Sequence, residues 1–200
     1  LAQRDVAARL GSALASQGLE PEYIVNNAGY GLIGRAASLD LSDQLAMIDV
    51  NVRALTDLSL AFVDSLARRR GGLLNVASVA GFLPGPGSAV YYASKAFVLS
   101  FSEALHCELK PLGVRVTCLC PGPVPTEFQA RAGIAETDAP RLLTLPAERV
   151  AAAGYRGLMR GRRVVIPGLG NRLVASLVSR IMPRSALLAL LDARQLRRAA

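Results

Sequence analysis

The feature that most constrains the fold is the recurrence of short apolar runs separated by much longer amphipathic stretches. Tyr23-Ile24-Val25, Leu73 to Ala77, Val114 to Leu119 and Arg163 to Ile166 each read as a strand. Residues 3–17, Leu41 to Arg69, Tyr91 to Lys110 and Pro146 to Arg160 carry a helical repeat between them. Val6, Leu10 and Leu14 share one face of the first helix, and Gly18 closes it. Asp40 or Ser42 caps the second, and Arg68-Arg69-Arg70 complements its dipole before Gly71-Gly72 stops it. Strands that alternate with helices pair in parallel, because a crossover must return each strand in the same direction. The expected fold class is α/β, a doubly wound parallel sheet in a three-layer α/β/α arrangement.

Composition narrows the function. Two hundred residues with 52% hydrophobic and 19% charged content make one domain with a sizeable core. No apolar run reaches the ~18 residues of a membrane span. The N-terminus, Leu1-Ala2-Gln3-Arg4-Asp5, lacks a signal peptide's apolar core, so a cytoplasmic location is expected. Cys107, Cys118 and Cys120 are odd in number, and the last two alternate along one strand and share a face, which reads as buried free thiols. With His106 as the single histidine, no metal site is expected.

The net charge of +8 is concentrated at one end: residues 1–150 hold 13 Arg and Lys against 14 Asp and Glu, whereas 151–200 hold ten arginines against Asp192 alone. That basic quarter lacks an interleaved aromatic set, so no nucleic-acid partner is expected. Residues 170–198 read as two helices broken near Pro183, with Leu173, Leu177 and Ile181 on one stripe and Leu187, Leu190 and Leu191 on another. Packing on the domain or on a partner subunit is one reading of this segment, and peripheral contact with anionic lipid is another.

The chemistry centres on Tyr91-Tyr92-Ala93-Ser94-Lys95, with Ser78 thirteen residues before Tyr91 and Asn51 twenty-seven before Ser78. Tyr91 and Lys95 are four apart and share a helix face. An ammonium beside a phenol favours the phenolate, which would bring a group titrating near ~10 into use as an acid or base near neutral pH. Ser78 follows an apolar run where a strand would end, and strand ends are where open α/β sheets bind ligands. Asn26-Asn27-Ala28-Gly29 and Pro121-Gly122-Pro123-Val124-Pro125-Thr126 follow two other apolar runs.

Together these five motifs resemble the short-chain dehydrogenase/reductase family, whose order and spacing they reproduce from about Leu1 to Thr126 and more loosely to about Gly168. The resemblance implies a Rossmann-like domain over 1–168, with 169–200 as a basic helical segment packed on it. It implies hydride transfer between NADP or NAD and a carbonyl or alcohol, with Ser78 and Tyr91 bonding the substrate oxygen and Tyr91 exchanging the proton. Lys95, the ribose hydroxyls and a water held by Asn51 would replace that proton. Asn26, Ala28 and Gly29 are assigned to the cofactor's adenosine ribose region, Asn27 to a tie between strands, and Lys95 to the nicotinamide ribose. Pro121, Gly122, Val124 and Thr126 are assigned to the nicotinamide. NADP is slightly favoured, and a homodimer or homotetramer is expected.

The family's Gly-rich phosphate loop, Thr-Gly-x-x-x-Gly-x-Gly, is not in this sequence. Gly29-Tyr30-Gly31-Leu32-Ile33-Gly34 is no substitute, because Arg35 to Asp40 separates it from the next helix, whereas a pyrophosphate loop opens a helix directly. The family's sheet order would leave Tyr23–Val25 unpaired on one side, so the sheet is expected to be N-terminally incomplete and the chain part of a longer polypeptide. An alternative is a non-catalytic relative that keeps the site residues and acts through interaction. The pocket walls expected from Gly81-Phe82-Leu83-Pro84 and Phe128 to Leu145 are mostly apolar, which suits an apolar ketone, a 3-oxoacyl chain, a steroid-like ring or a retinoid-like aldehyde. Residues 128–145 read as a lid, in which Arg131 and Arg141 read as solvated surface arginines, contact with an anionic substrate tail being the alternative.

Overall fold

A computed structural model describes residues 1, 5–126, 128, 142–178 and 181–199. Four strands, β1 (Tyr23–Asn26), β2 (Gly72–Val76), β3 (Arg115–Leu119) and β4 (Val164–Val165), form one sheet in that order. Every pairing is parallel, with Tyr23 opposite Gly72 and Gly72 opposite Arg115. The helices are α1 (Val6–Ala15), α2 (Leu41–Ile48), α3 (Leu55–Ala61), α4 (Val63–Arg68), α5 (Ala89–Leu109), α6 (Ala147–Met159), α7 (Leu169–Leu173) and α8 (Arg184–Ala199). This is the expected Rossmann-like arrangement.

Adjacent residues of β2 show how the layers form. Side chains alternate across a strand, so Leu73 joins Leu66, Leu105, Leu109 and Val116 on the α4 and α5 side. Leu74 joins Leu119, Val150 and Leu158 on the α6 side. Each such leucine contributes about 1.5–3 kcal/mol by burial. Cys118 and Cys120 share a face as expected, both fully buried with Val98 and Leu99 and with sulfurs 3.6 Å apart.

A polar ladder crosses this core. Asn26 and Asn75 sit opposite each other in β1 and β2, and Asn26 Nδ2 donates to Asn75 Oδ1 at 2.9 Å and to Ser59 Oγ at 3.0 Å. Asn75 Nδ2 continues to Ser102 Oγ at 3.0 Å. The ladder ties α3, β1, β2 and α5 together beneath the ends of the strands, where the site lies. β1 is an edge strand, and Val25 is 56% exposed.

The single helix expected over Leu41 to Arg69 is divided. Asp40 is its cap, its Oδ1 accepting from the backbone N–H of Ser42 and Asp43. The helix then widens into a π turn at Asp49–Ala54 and breaks again at Phe62, whose φ of −109° and ψ of 11° leave the helical region. At the far end Arg68 pairs with Glu20, and Gly71 passes so close to Glu22 that a Cβ there would fall 1.7 Å from its carbonyl oxygen. Glycine is the residue that permits this approach.

Candidate active site

The ends of β2 and β3 and the first turns of α5 converge on one cavity of about 640 Å³. Ser78 leaves β2 in an extended conformation, and its Oγ accepts from the Ala80 N–H at 3.1 Å and lies 3.4 Å from the Pro121 carbonyl. The first turn of α5 presents Tyr91 to the cavity, and one turn later Lys95 is buried beneath it, donating from Nζ to the Val76 carbonyl at 3.0 Å. Asn51, buried in the π turn, holds Tyr30 by both backbone groups: Oδ1 accepts its N–H at 3.1 Å and Nδ2 donates to its carbonyl at 2.9 Å. Nδ2 also reaches Ser94 Oγ at 3.0 Å. A Cβ on Gly29 would lie 2.9 Å from Asn51 Oδ1 and 3.2 Å from Lys95 Nζ, so this glycine is the meeting point of the two. Ser78, Tyr91 and Lys95 thus share one cavity, with Asn51 directly behind it.

The electrostatics differ from expectation. Burial pushes the Tyr91 phenol up to about 12, the hydrogen bond with Ser78 pulling against it and Tyr92 adding to it. Burial also lowers the Lys95 ammonium to about 8, with Cys118 and Cys120 opposing. Loss of water, rather than the charge of Lys95, therefore dominates at the Tyr91 phenol. Lys95 Nζ lies 5.9 Å from the centre of the Tyr91 ring.

Asn26 and Asn27 exchange the places expected for them. Asn26 is buried in the ladder and ties strands together, whereas Asn27 is exposed and lines the cavity. Ala28, expected at the cofactor, is exposed and is not part of the cavity wall. Gly29, Pro121, Gly122, Val124 and Thr126 all line it. Of the expected apolar wall, Leu83, Phe128 and Leu143 are present. Arg131, Arg141 and most of the expected lid lie outside the described residues. The glycine run 29–34 opens no helix: a short 3-10 turn at Ala36–Ser38 precedes α2.

Sequence reasoning missed Ile33, Val174, Leu191 and Asn171. The first three line the cavity, two of them from the C-terminal segment. Asn171 is fully buried behind the wall, with Nδ2 donating to the Leu143 and Pro167 carbonyls at 3.0 and 2.9 Å. Its Oδ1 lies 2.2 Å from where a Gly122 Cβ would stand. Gly122→Ala is therefore expected to cost about 1–3 kcal/mol in denaturant unfolding through overpacking, and an unchanged midpoint would contradict the contact. The one available signal for Asn171 was its place after Pro167-Gly168 within a basic, apolar segment.

The family described as short chain dehydrogenase matches residues 6–137. The chain belongs to that family. Among curated relatives, sulfoacetaldehyde reductase 2 of Chromohalobacter salexigens is 45% identical over 108 residues, 52% of this chain and 43% of that protein. The NADPH-dependent 1-acyldihydroxyacetone phosphate reductase of Schizosaccharomyces pombe is 38% identical over 109 residues, 54% of this chain and 37% of that protein. The matched stretch thus spans less than half the length of either relative. Among solved short-chain dehydrogenases, one from Burkholderia cenocepacia in complex with NADP superposes with a TM-score of 0.77 at 26% identity, covering 95% of this chain and 77% of that one. One from Sphingobium yanoikuyae in complex with NADPH gives 0.74 at 28% identity, covering 100% and 72%.

The cavity's donors fit one half of a dinucleotide. Lys95 is its sole charged lining residue among those described, beside the hydroxyls of Ser78, Tyr91 and Thr126 and the backbone of Gly122 to Val124. The carboxamide of a nicotinamide and the hydroxyls of its ribose match that set.

Proposed function

We propose that this short-chain dehydrogenase is an NADP- or NAD-dependent reductase of apolar carbonyl compounds. The observation that carries the reading is the convergence of Ser78, Tyr91 and Lys95 on one cavity. Lys95, Gly122, Val124 and Thr126 would hold the nicotinamide and its ribose, and Asn27 and Gly29 the region beyond. The bound nicotinamide supplies the hydride. Tyr91, held near 12, keeps its proton at neutral pH and can give it to a carbonyl oxygen, which suits the reducing direction. Ser78 Oγ is a second donor for that oxygen. Lys95, titrating near 8, exchanges protons readily at the same pH and would restore the one Tyr91 gives up.

The substrate side is apolar: Ile33, Leu83, Phe128, Leu143, Val174 and Leu191 surround the reacting groups. Such walls favour an aliphatic ketone or an acyl chain over a small anion. The named relatives act on both kinds, a sulfonated aldehyde and an acylated glycerone phosphate. This cavity supports the latter type.

Titration of NADPH and NADH, followed by nicotinamide fluorescence, tests the proposal. Micromolar binding of at least one is expected. If neither binds, to this chain or to a polypeptide extended upstream of Leu1, the reading is wrong.

A further inference from the structure

We infer that Asn171 is a positioning residue for the proposed reaction: it holds the apolar substrate wall at a fixed distance from the backbone strip Pro121 to Val124, and so sets the preference among ketones of different length. This rests on the proposed reading of the cavity as a carbonyl site.

Asn171 stands where three separate pieces of chain meet, and only 1% of it is exposed. Its Nδ2 donates to the Pro167 carbonyl at 2.9 Å, four residues back and just after β4. It also donates to the Leu143 carbonyl at 3.0 Å, 28 residues away. Leu143 lines the cavity, as does Val174 just beyond α7. The third piece is the strip Pro121 to Val124, which lines the side proposed for the nicotinamide. A Cβ on Gly122 would fall 2.2 Å from Asn171 Oδ1 and 2.5 Å from its Cγ, so the amide lies directly against this glycine. The Leu145 N–H donates to the Pro123 carbonyl at 3.3 Å and adds a second tie between wall and strip.

Glycines clear room for this junction. A Cβ on Gly168 would lie 3.2 Å from Asn171 Nδ2, and one on Gly170 would lie 2.8 Å from Leu143 Cδ2. Asn171 Oδ1 is buried without a hydrogen-bond partner among the described residues, which disfavours the folded state. An apolar side chain would avoid that cost but would strand the Leu143 and Pro167 carbonyls. What asparagine supplies is a pair of donors that fix the 142–145 segment to α7 and both to Gly122. Such fixing has kinetic consequences at a reacting centre, where a misplacement of about 1 Å costs about 10²-fold in rate.

Asn171→Ser separates the two bonds. A serine hydroxyl on a helix reaches the carbonyl four residues back, here Pro167, and is too short to keep the bond to Leu143. The test compares NADPH-dependent reduction of 2-butanone and 2-octanone by the polypeptide that binds NADPH. Wild type is expected to favour the longer ketone by about fourfold in kcat/KM for each methylene that the wall buries. Asn171→Ser should lose about tenfold of that preference through a higher KM for 2-octanone, with its Kd for NADPH within about twofold of wild type. Simple loss of folded protein would lower kcat for both ketones alike and leave each KM and the preference unchanged. Gly170→Ala pushes on Leu143 while keeping both Asn171 bonds, and alanine favours the helix. It should reduce the same preference by about threefold. An unchanged preference in Asn171→Ser overturns the inference; if that variant does not fold, an unchanged preference in Gly170→Ala overturns it instead. A wild type that binds NADPH and reduces neither ketone removes the carbonyl reading and the inference with it, whereas reduction of both with the preference preserved in the variants removes the inference alone.

Discussion

Tyr91→Phe is expected to lower kcat about 10²–10⁴-fold, the range that a positioned general acid contributes, while leaving the Kd for NADPH within about twofold. The change deletes one hydroxyl and keeps the ring, so the packing of Tyr91 against Phe128 at 5.6 Å and Tyr92 at 6.0 Å is retained. Ser78 remains to bind the carbonyl oxygen, but its hydroxyl is a poor proton donor near neutral pH. Single-turnover reduction with bound NADPH would isolate the chemical step. A rate near wild type would remove Tyr91 from the proton transfer and with it the assignment of this cavity.

Lys95→Met should have opposite effects on activity and stability. Turnover should fall by about two orders of magnitude or more, because the group proposed to restore the proton and hold the ribose is gone. At pH 7 the variant should nevertheless unfold at higher denaturant. Burial lowers the folded-state value of Lys95 from 10.5 to about 8, so the unfolded chain binds more protons between those values. Wild-type stability therefore rises with pH across that window, and below pH 8 the full cost of the buried charge, about 3 kcal/mol, is present. Methionine never carries that cost, although it leaves the Val76 carbonyl without its 3.0 Å donor. The variant's advantage should be about 1–3 kcal/mol at pH 7 and should vanish by about pH 10.5. A variant less stable than wild type at pH 7 would show that Lys95 is buried neutral or compensated.

The strands were legible because runs such as Leu73 to Ala77 are apolar apart from Asn75 and bounded by glycine or serine. The site was legible because its residues lie at strand ends and on one helix face, positions that spacing alone defines. What was hidden depended on contacts between distant segments. Asn26 and Asn27 are the same residue type, and the exact end of β1 decides which enters the ladder and which faces the cavity. Lys95 looked like a partner for Tyr91 at four-residue spacing, yet its ammonium is drawn to the Val76 carbonyl and both groups are dehydrated. The C-terminal segment showed its stripes and its charge, but no pattern in it announced that Val174 and Leu191 reach a cavity built by residues nearly a hundred positions earlier.

The π turn at Asp49–Ala54 separates two things that a regular helix would join. Its backbone is widened where Asn51 reaches out to Tyr30 and Ser94. A π turn holds one residue more than the α turn it replaces, so deleting one residue there can restore a regular helix without turning the part beyond it. Leu55 and Ser59 would then keep their places beneath β1 while Asn51 lost its hold on Tyr30 and Ser94. In a library of single-residue deletions, this stretch should stand out as one where folding survives and turnover does not.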